Sequence, residues 1–320
     1  MPELREDPIT GRRVIVAPGR SARPRTATTG GPVETARAAP GRDPACPFCP
    51  GNEHETPPEV ARYGDGGPDT PGWRVRAVPN LYPVVGGDGG GALGGAHEVV
   101  VSSPAHDRPL DRLDPPQARD VVRMLRDRAA YHLGRGRAHA QPFVNQGRAA
   151  GASIAHPHAQ LVALDVVPPE VARLAARFAD AGRDLVAEQM REERAGARAV
   201  LDMDGAALAW CPAASPSPWF VRCALRDAGA RFDEATDEHV DAIADVLRAV
   251  LTSVRAVLGP VDHNVVVHTA ARGGGWPCHW WVDVVPRTSV AAGFEIATGL
   301  DVCAVEPADA AASLREARCG

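Results

Sequence analysis

The chain has 320 residues, of which 44% are hydrophobic and 23% charged, enough to bury the core of one large domain or two ordinary ones. Its net charge is −5 and the sequence contains no lysine, which excludes a phosphate-loop lysine, a Schiff-base lysine and a lysine general base. No basic run marks a nucleic-acid footprint, no apolar stretch approaches the roughly 20 residues of a membrane span, and no apolar signal core opens the chain, so a cytoplasmic globular protein is expected.

In chain order, a short strand is predicted at Arg13–Ala17, followed by a loop rich in Pro, Gly, Arg and Thr from Pro18 to Pro44. Strands are predicted at Trp73–Val78 and Glu98–Ser102, with a glycine-rich loop over Gly86–Gly95 that lacks the strand-to-helix context of a phosphate cradle. Helical periodicity covers Pro116–Leu133, Pro169–Glu193 and Asp237–Leu258. Strand-like segments fall at Pro142–Asn145, Ala159–Val167, Trp219–Ala224, His263–His268 and His279–Val285. The pattern is α+β. Two regions share a layout of helix, strand, glycine-containing loop and histidine-bearing strand: Asn145 precedes His156 by the spacing at which His268 precedes His279, and Trp281 falls where His158 stands. This points to a duplicated unit with one active site per chain.

The segment GASIAHPHAQ, Gly151 to Gln160, carries the most chemistry. Pro157 disfavours a helix interior, and in an extended strand His156, His158 and Gln160 share a face. A loop accident or a plain metal pair is the alternative at this point. Cys46 and Cys49 have the C-x₂-C spacing that places two thiolates on one zinc from a tight turn. A redox pair is the weaker alternative, since no thioredoxin-like context surrounds it. His54 would crowd such a turn, whereas His106 and His156 are available to complete a Cys₂His₂ tetrahedron, and a closed four-ligand shell implies one structural zinc. The other five cysteines are scattered, and the odd total argues against a disulfide framework.

The segments LREDPITGRRVIVAPGRSARP, CPFCPGNE, VRAVPNLYPVV, HEVVVSSPAH, VNQGRAAGASIAHPHAQLVAL and GFEIATG occur in this order over nearly the whole chain. Together they resemble the galactose-1-phosphate uridylyltransferase family, a double-unit branch of the histidine-triad superfamily. The resemblance implies two histidine-triad-like units, residues 1–170 with the zinc site and the nucleophile, and 171–320 contributing to the sugar site. Each unit would be an antiparallel sheet with flanking helices, and the two sheets would join in one continuous half-barrel-like sheet. It implies a ping-pong reaction of carbohydrate metabolism in which His158 attacks the α-phosphorus of a UDP-sugar and passes the nucleotidyl group to a sugar 1-phosphate. A neutral imidazole is nucleophilic near neutral pH and its phosphoramidate is labile enough to react onward.

By the same resemblance the carbonyl of His156 holds the second ring nitrogen of His158, and Gln160 and Ser153 bond the phosphate. Gly151 and Asn145 belong to the substrate loop, and Asn80 contacts the nucleoside. Arg20 and Arg23 meet the nucleotide phosphates, although a solvated loop is the alternative for these two. Phe294 and Glu295 match a pair that grips the hexose, and a homodimer is implied in which the partner completes the sugar site. Leu81 stands where the uridylyltransferases carry an aspartate, and Ser289 near a place that often holds lysine. His268 and His279 match ligands of a second metal site, which is predicted absent because Trp281 replaces another. Uridylyl transfer is therefore the first expectation, and an ADP-sugar phosphorylase with phosphate as acceptor is the alternative kept open by Leu81 and Ser289. A binding module without turnover and a dinucleoside-phosphate hydrolase are the remaining readings.

Overall fold

The computed structural model describes residues 1–22, 41–86, 93–274 and 276–319. In chain order the strands and helices are β1 (Glu3–Glu6), β2 (Arg13–Val16), β3 (Ala61–Gly64), β4 (Trp73–Pro79), β5 (Gly95–Val101), α1 (Pro115–Gly134), β6 (His139–Gln146) and β7 (His158–Leu164). They continue with α2 (Pro169–Ala181), α3 (Leu185–Arg194), β8 (Ala199–Met203), β9 (Ala207–Trp210), β10 (Val221–Leu225), α4 (Asp237–Leu258), β11 (His263–His268), β12 (Trp281–Pro286), α5 (Gly293–Thr298), β13 (Asp301–Cys303) and α6 (Pro307–Cys319).

Ten of these strands form one antiparallel sheet in the order β3-β4-β5-β7-β6-β11-β12-β10-β9-β8, and β1, β2 and β13 form a small second sheet. The order is palindromic about the β6/β11 seam, where Val144 pairs with Val265 and Asn145 with Asn264. The expected α+β architecture with a continuous antiparallel sheet is the one adopted.

Strand alternation decides what each face of the sheet meets. Val100 and Ala159 from the first five strands, with Val265, Val282 and Val284 from the second five, face α1 and α4 in the main core. α1 starts where Asp114 accepts the Gln117 N–H at 2.8 Å, with proline at its first positions, and α4 where Thr236 accepts the His239 N–H at 3.3 Å. α4 buries Val240, Ile243, Leu247, Val250 and Val254 at helical spacing, each contributing about 1.5–3 kcal/mol by burial.

On the opposite face the two halves differ. Val99 and Val101 pack with Cys46, Phe48 and Cys49, while Ala224 and Trp281 pack beneath Phe178 of α2 and Val186 and Met190 of α3.

Several boundaries depart from the periodicity. The helix expected over 169–193 is two helices, because Gly182 takes the left-handed conformation (φ 62°) that ends α2 and Asp184 caps α3 by accepting the Ala187 N–H at 2.9 Å. β12 begins at Trp281 rather than His279, β7 ends at Leu164, and β10 begins at Val221, after Trp219 at positive φ. Much of the glycine-rich stretch of 86–95 and of the 18–44 loop lies outside the described residues.

Candidate active site and metal centre

The turn through Cys46 and Cys49 is closed by the Cys49 N–H donating to the Cys46 carbonyl at 3.1 Å, which aims both thiols to one side. Cys46 Sγ lies 3.7 Å and Cys49 Sγ 3.6 Å from His156 Nδ1, and Cys49 Sγ lies 3.3 Å from His106 Nδ1. A tetrahedral zinc with bonds of about 2.3 Å to sulfur and about 2.0 Å to nitrogen separates such pairs by about 3.6 Å, so the four atoms fit this ion. All four residues are buried, and their ligand atoms lie within 4.8 Å of one another. His156 Nε2 donates to the Ser103 carbonyl at 2.8 Å, which leaves Nδ1 as the lone pair facing the thiols. Burial holds the His156 pKa down to about 4, keeping the ring neutral, and pushes the Cys46 thiol up to about 11. A divalent cation among these atoms removes the penalty on the thiolate. The group could hold a metal ion, compatible with zinc, and no open position for water follows from a four-ligand shell.

The same residue that faces the thiols sets the nucleophile. His158 Nδ1 donates to the His156 carbonyl at 2.9 Å, so the neutral tautomer carries its lone pair on Nε2. Burial lowers the pKa of His158, against the carbonyl bond that raises it, and favours the neutral nucleophile. Phe48 meets the His158 ring edge-on at 5.3 Å and the His156 ring at 6.1 Å, which restricts both rings.

Gln160 lies two residues along β7 on the same face, paired in register with Val99. Its Oε1 is 2.9 Å from His97 Nε2, and Asn80 Nδ2 is 3.2 Å from that same nitrogen. Asn145, on β6, accepts from Asn264 Nδ2 at 2.8 Å. Gly151 has φ 93°, and a Cβ there would meet Asn145 Nδ2 at 3.6 Å, so the loop passes close over that amide.

The other expected residues make no hydrogen bond to this group among the described residues. Ser153 is exposed in the turn before His156, and Arg20 is exposed on the 3-10 turn Pro18–Ala22. Arg23 lies outside the described residues. Phe294 and Glu295 sit on α5, which buries no side chain, and Glu295 is engaged in accepting the Ala292 N–H at 3.0 Å. His268 Nε2 is 2.9 Å from Asp283 Oδ2, and His279 Nδ1 is 3.3 Å from Asp184 Oδ2. The sequence reading missed His97 and Phe48. For His97 the signal was strand alternation, since it shares a face of β5 with Val99 and Val101. Phe48 lay inside the quoted CPFCPGNE segment.

A buried neutral histidine with one ring nitrogen fixed, beside a Cys₂His₂ group on a continuous antiparallel sheet, fits an enzyme of the histidine-triad superfamily with nucleotidyl-transfer or phosphorolytic chemistry, and the comparisons with known proteins agree. The chain belongs to the galactose-1-phosphate uridylyltransferase family of that superfamily. Residues 92–168 match the N-terminal domain of galactose-1-phosphate uridyl transferase. The chain is 32% identical over 340 residues to an ADP-glucose phosphorylase from Arabidopsis thaliana, covering 98% of this chain and 93% of that protein. A galactose-1-phosphate uridylyltransferase from Streptomyces lividans is 30% identical over 207 residues, 62% of this chain and 50% of the relative. The crystal structure of an Arabidopsis thaliana ADP-glucose phosphorylase with bound ADP-glucose superposes with a TM-score of 0.83 at 29% identity, over 99% of this chain and 98% of that one. Among the described residues, no helix is long and apolar enough to cross a membrane.

Proposed function

We propose that the chain is a nucleotidyltransferase acting on a nucleoside-diphosphate sugar by a ping-pong mechanism, of the ADP-glucose phosphorylase type. The observation that carries this reading is the 32% identity to such a phosphorylase over 98% of the chain, whereas the Streptomyces uridylyltransferase aligns over 62% of it. Leu81, in place of the aspartate expected beside Asn80, supports the same choice over UDP-glucose as donor.

In this reading His158 Nε2 attacks the α-phosphorus of ADP-glucose. The bond to the bridging oxygen breaks, glucose 1-phosphate leaves, and an adenylyl-His158 remains. Phosphate then attacks the same phosphorus and takes the adenylyl group away as ADP. The His156 carbonyl holds the Nδ1 proton through both steps and stabilises the charge that His158 gains on bonding phosphorus. Gln160 and Ser153 donate to the phosphoryl oxygens, Asn80 contacts the nucleoside, and Asn145 and Gly151 shape the substrate loop. Arg20 and Arg23 neutralise phosphate charge. Cys46, Cys49, His106 and His156 would hold a zinc ion, which when bound would stiffen the turn that presents His158.

The palindromic strand order supports two repeated units over 1–170 and 171–320. Val290, Phe294 and Ile296, exposed at 91%, 49% and 76%, support a homodimer in which α5 serves the sugar site of the partner.

The experiment is intact-protein mass spectrometry after incubation with ADP-glucose or UDP-glucose and no acceptor. An AMP adduct absent from His158→Gly, discharged by phosphate as ADP, is the expected result. A UMP adduct discharged by galactose 1-phosphate would return the chain to uridylyl transfer, and no adduct from either donor would overturn the covalent mechanism.

A further inference from the structure

We propose that His97 is a positioning residue for Gln160: it fixes which end of the Gln160 carboxamide faces the transferred phosphoryl group, and it ties that choice to the loop carrying Asn80. The inference rests on the proposed phosphate-binding role of Gln160.

One hydrogen bond to the His97 ring has a donor of fixed identity. The backbone N–H of Val84 points at His97 Nδ1 at 3.3 Å, so Nδ1 is the acceptor. In a neutral imidazole the proton is then on Nε2. His97 is buried, and burial lowers its pKa, which agrees with a neutral ring. An imidazolium would set a second N–H against that of Val84.

The Nε2 proton needs an acceptor, and two amides compete for it. Asn80 offers no acceptor there, because its Oδ1 is turned to the Tyr82 N–H at 2.9 Å and Nδ2 faces the ring at 3.2 Å, a contact that is not a hydrogen bond in this tautomer. Gln160 Oε1, at 2.9 Å, takes the bond. With Oε1 committed, the Gln160 amide nitrogen faces away from His97, and it makes no hydrogen bond among the described residues. Gln160 and His158 lie two apart on one strand face, so this free donor is presented on the side of the nucleophile. An amide turned by 180° would present an acceptor to anionic phosphoryl oxygens instead.

His97 also fastens the loop. Its carbonyl accepts the Asn80 N–H at 2.8 Å while its ring accepts from Val84, so both ends of the Asn80–Val84 segment hang on this residue. Leu81, Tyr82 and Val84 on that segment are exposed at 60%, 83% and 70%, so their packing does not fix the loop.

The test is a double-mutant cycle on the rate of nucleotidyl-enzyme formation from ADP-glucose in the full chain. Gln160→Ala is expected to lower kcat by about a hundredfold, the effect of removing one donor to a developing oxyanion. His97→Leu is expected to lower kcat by about tenfold, and by less than about twofold when Gln160 is already alanine, because its effect on the chemical step passes through Gln160, while loosening of the Asn80 loop is read in KM for ADP-glucose. His97→Gln, whose amide can accept from Val84 and donate to Gln160, should recover most of the rate.

Independent losses in the two single variants would overturn the proposal. So would a His97→Leu enzyme that works at the wild-type rate. A Gln160→Ala enzyme of normal rate would instead remove the reading on which the proposal rests. Should His97→Leu fail to fold, ¹⁵N spectra of the histidines of the wild-type protein decide the matter. A His97 ring protonated on Nε2 is expected, and one protonated on Nδ1 overturns the assignment.

Discussion

β7 and β12 occupy equivalent places in the palindrome, yet one begins with a reactive residue and the other with a packed one. His158 pairs in register with Val101 and Gln160 with Val99; in the second half Trp281 pairs with Ala224 and Asp283 with Arg222. Trp281 stacks on His268 at 4.6 Å and packs against Phe178 and Trp276 at 6.0 and 5.9 Å. Arg222 bonds Asp283 at 2.9 Å and Asp7 at 3.0 Å, all three buried, and Asp283 also takes His268. The second half therefore pairs its buried charges, with Asp7 from the N-terminal segment closing the network, while the Trp281 ring N–H is buried among apolar rings without a hydrogen-bond partner. The first half leaves His158 Nε2 and the Gln160 amide unspent. One backbone arrangement can carry a reactive residue or a core residue, and what decides is whether its first position holds an imidazole with one ring nitrogen fixed or an indole packed among other rings.

The most severe way to break the comparison is to remove what the first half keeps free. His158→Gly should lower nucleotidyl transfer by at least about a thousandfold, with an unchanged circular dichroism spectrum and melting temperature. Trp281→Ala should do the converse: a loss of about 3–5 kcal/mol in denaturant unfolding, with specific activity per folded molecule kept. A normal transfer rate in His158→Gly would sink the nucleophile assignment, and a catalytic defect in folded Trp281→Ala would mean that the second half takes part in chemistry.

Removing the charge at the centre of the second half comes next. Arg222→Leu leaves Asp283 and Asp7 buried without their cation and should cost about 3–5 kcal/mol at neutral pH. Burial alone would raise the Asp283 pKa, but Arg222 and then His268 outweigh it and hold the carboxyl below its usual range. A depressed folded pKa gives stabilisation that is complete above the unfolded value of about 3.9 and is lost as pH falls below it. The gap between variant and wild type should therefore narrow as unfolding is measured at decreasing pH below about 4. A gap constant over that range would show that Arg222 acts by packing alone.

A third test sharpens the role of the Cys₂His₂ group beside His158. Cys46→Ser should reduce bound zinc from about one per chain to almost none and lower the melting temperature by about 5 °C, the shift expected for a loss of about 3 kcal/mol in a chain of this length. Transfer activity should decline after stability does, because His156 contributes both Nδ1 to the shell and the carbonyl that fixes His158. Full zinc occupancy in this variant would contradict the ligand set.

Much of this site was legible because its signals are local. Two thiols three residues apart and two histidines flanking a proline suggest a metal group by spacing, the role of His158 follows from the family resemblance, and α4 and β11 have the boundaries their periodicity predicts. What sequence left open depends on distant partners. Nothing near Asp7 announces Arg222, 215 residues away, and nothing near His97 announces Gln160, 63 residues away. The division of the 169–193 helix was within reach, since Gly182 followed shortly by Asp184 is a stop followed by a start. The short strands β8 and β9 were missed because ALAW and AVLDM do not alternate clearly, and their place is set by pairing with β10.

The two halves also meet through their helices, and there the expected effect is smallest. Arg119 and Arg123 of α1 reach Asp245 and Asp241 of α4 at 2.6 Å, and Arg126 reaches Asp237 at 2.6 Å. The arginines all come from the first half and the aspartates from the second, so the ladder disfavours pairing either helix with a copy of itself. These side chains are partly exposed, and an exposed pair contributes about 0.2–1 kcal/mol, screened by salt. Arg123→Ala should therefore lower unfolding stability by no more than about 1 kcal/mol in low salt, and by less as salt is added. A larger loss, insensitive to salt, would mean that the arginine stem packs the seam, and that contact between the helices rather than opposite charge holds the two halves together.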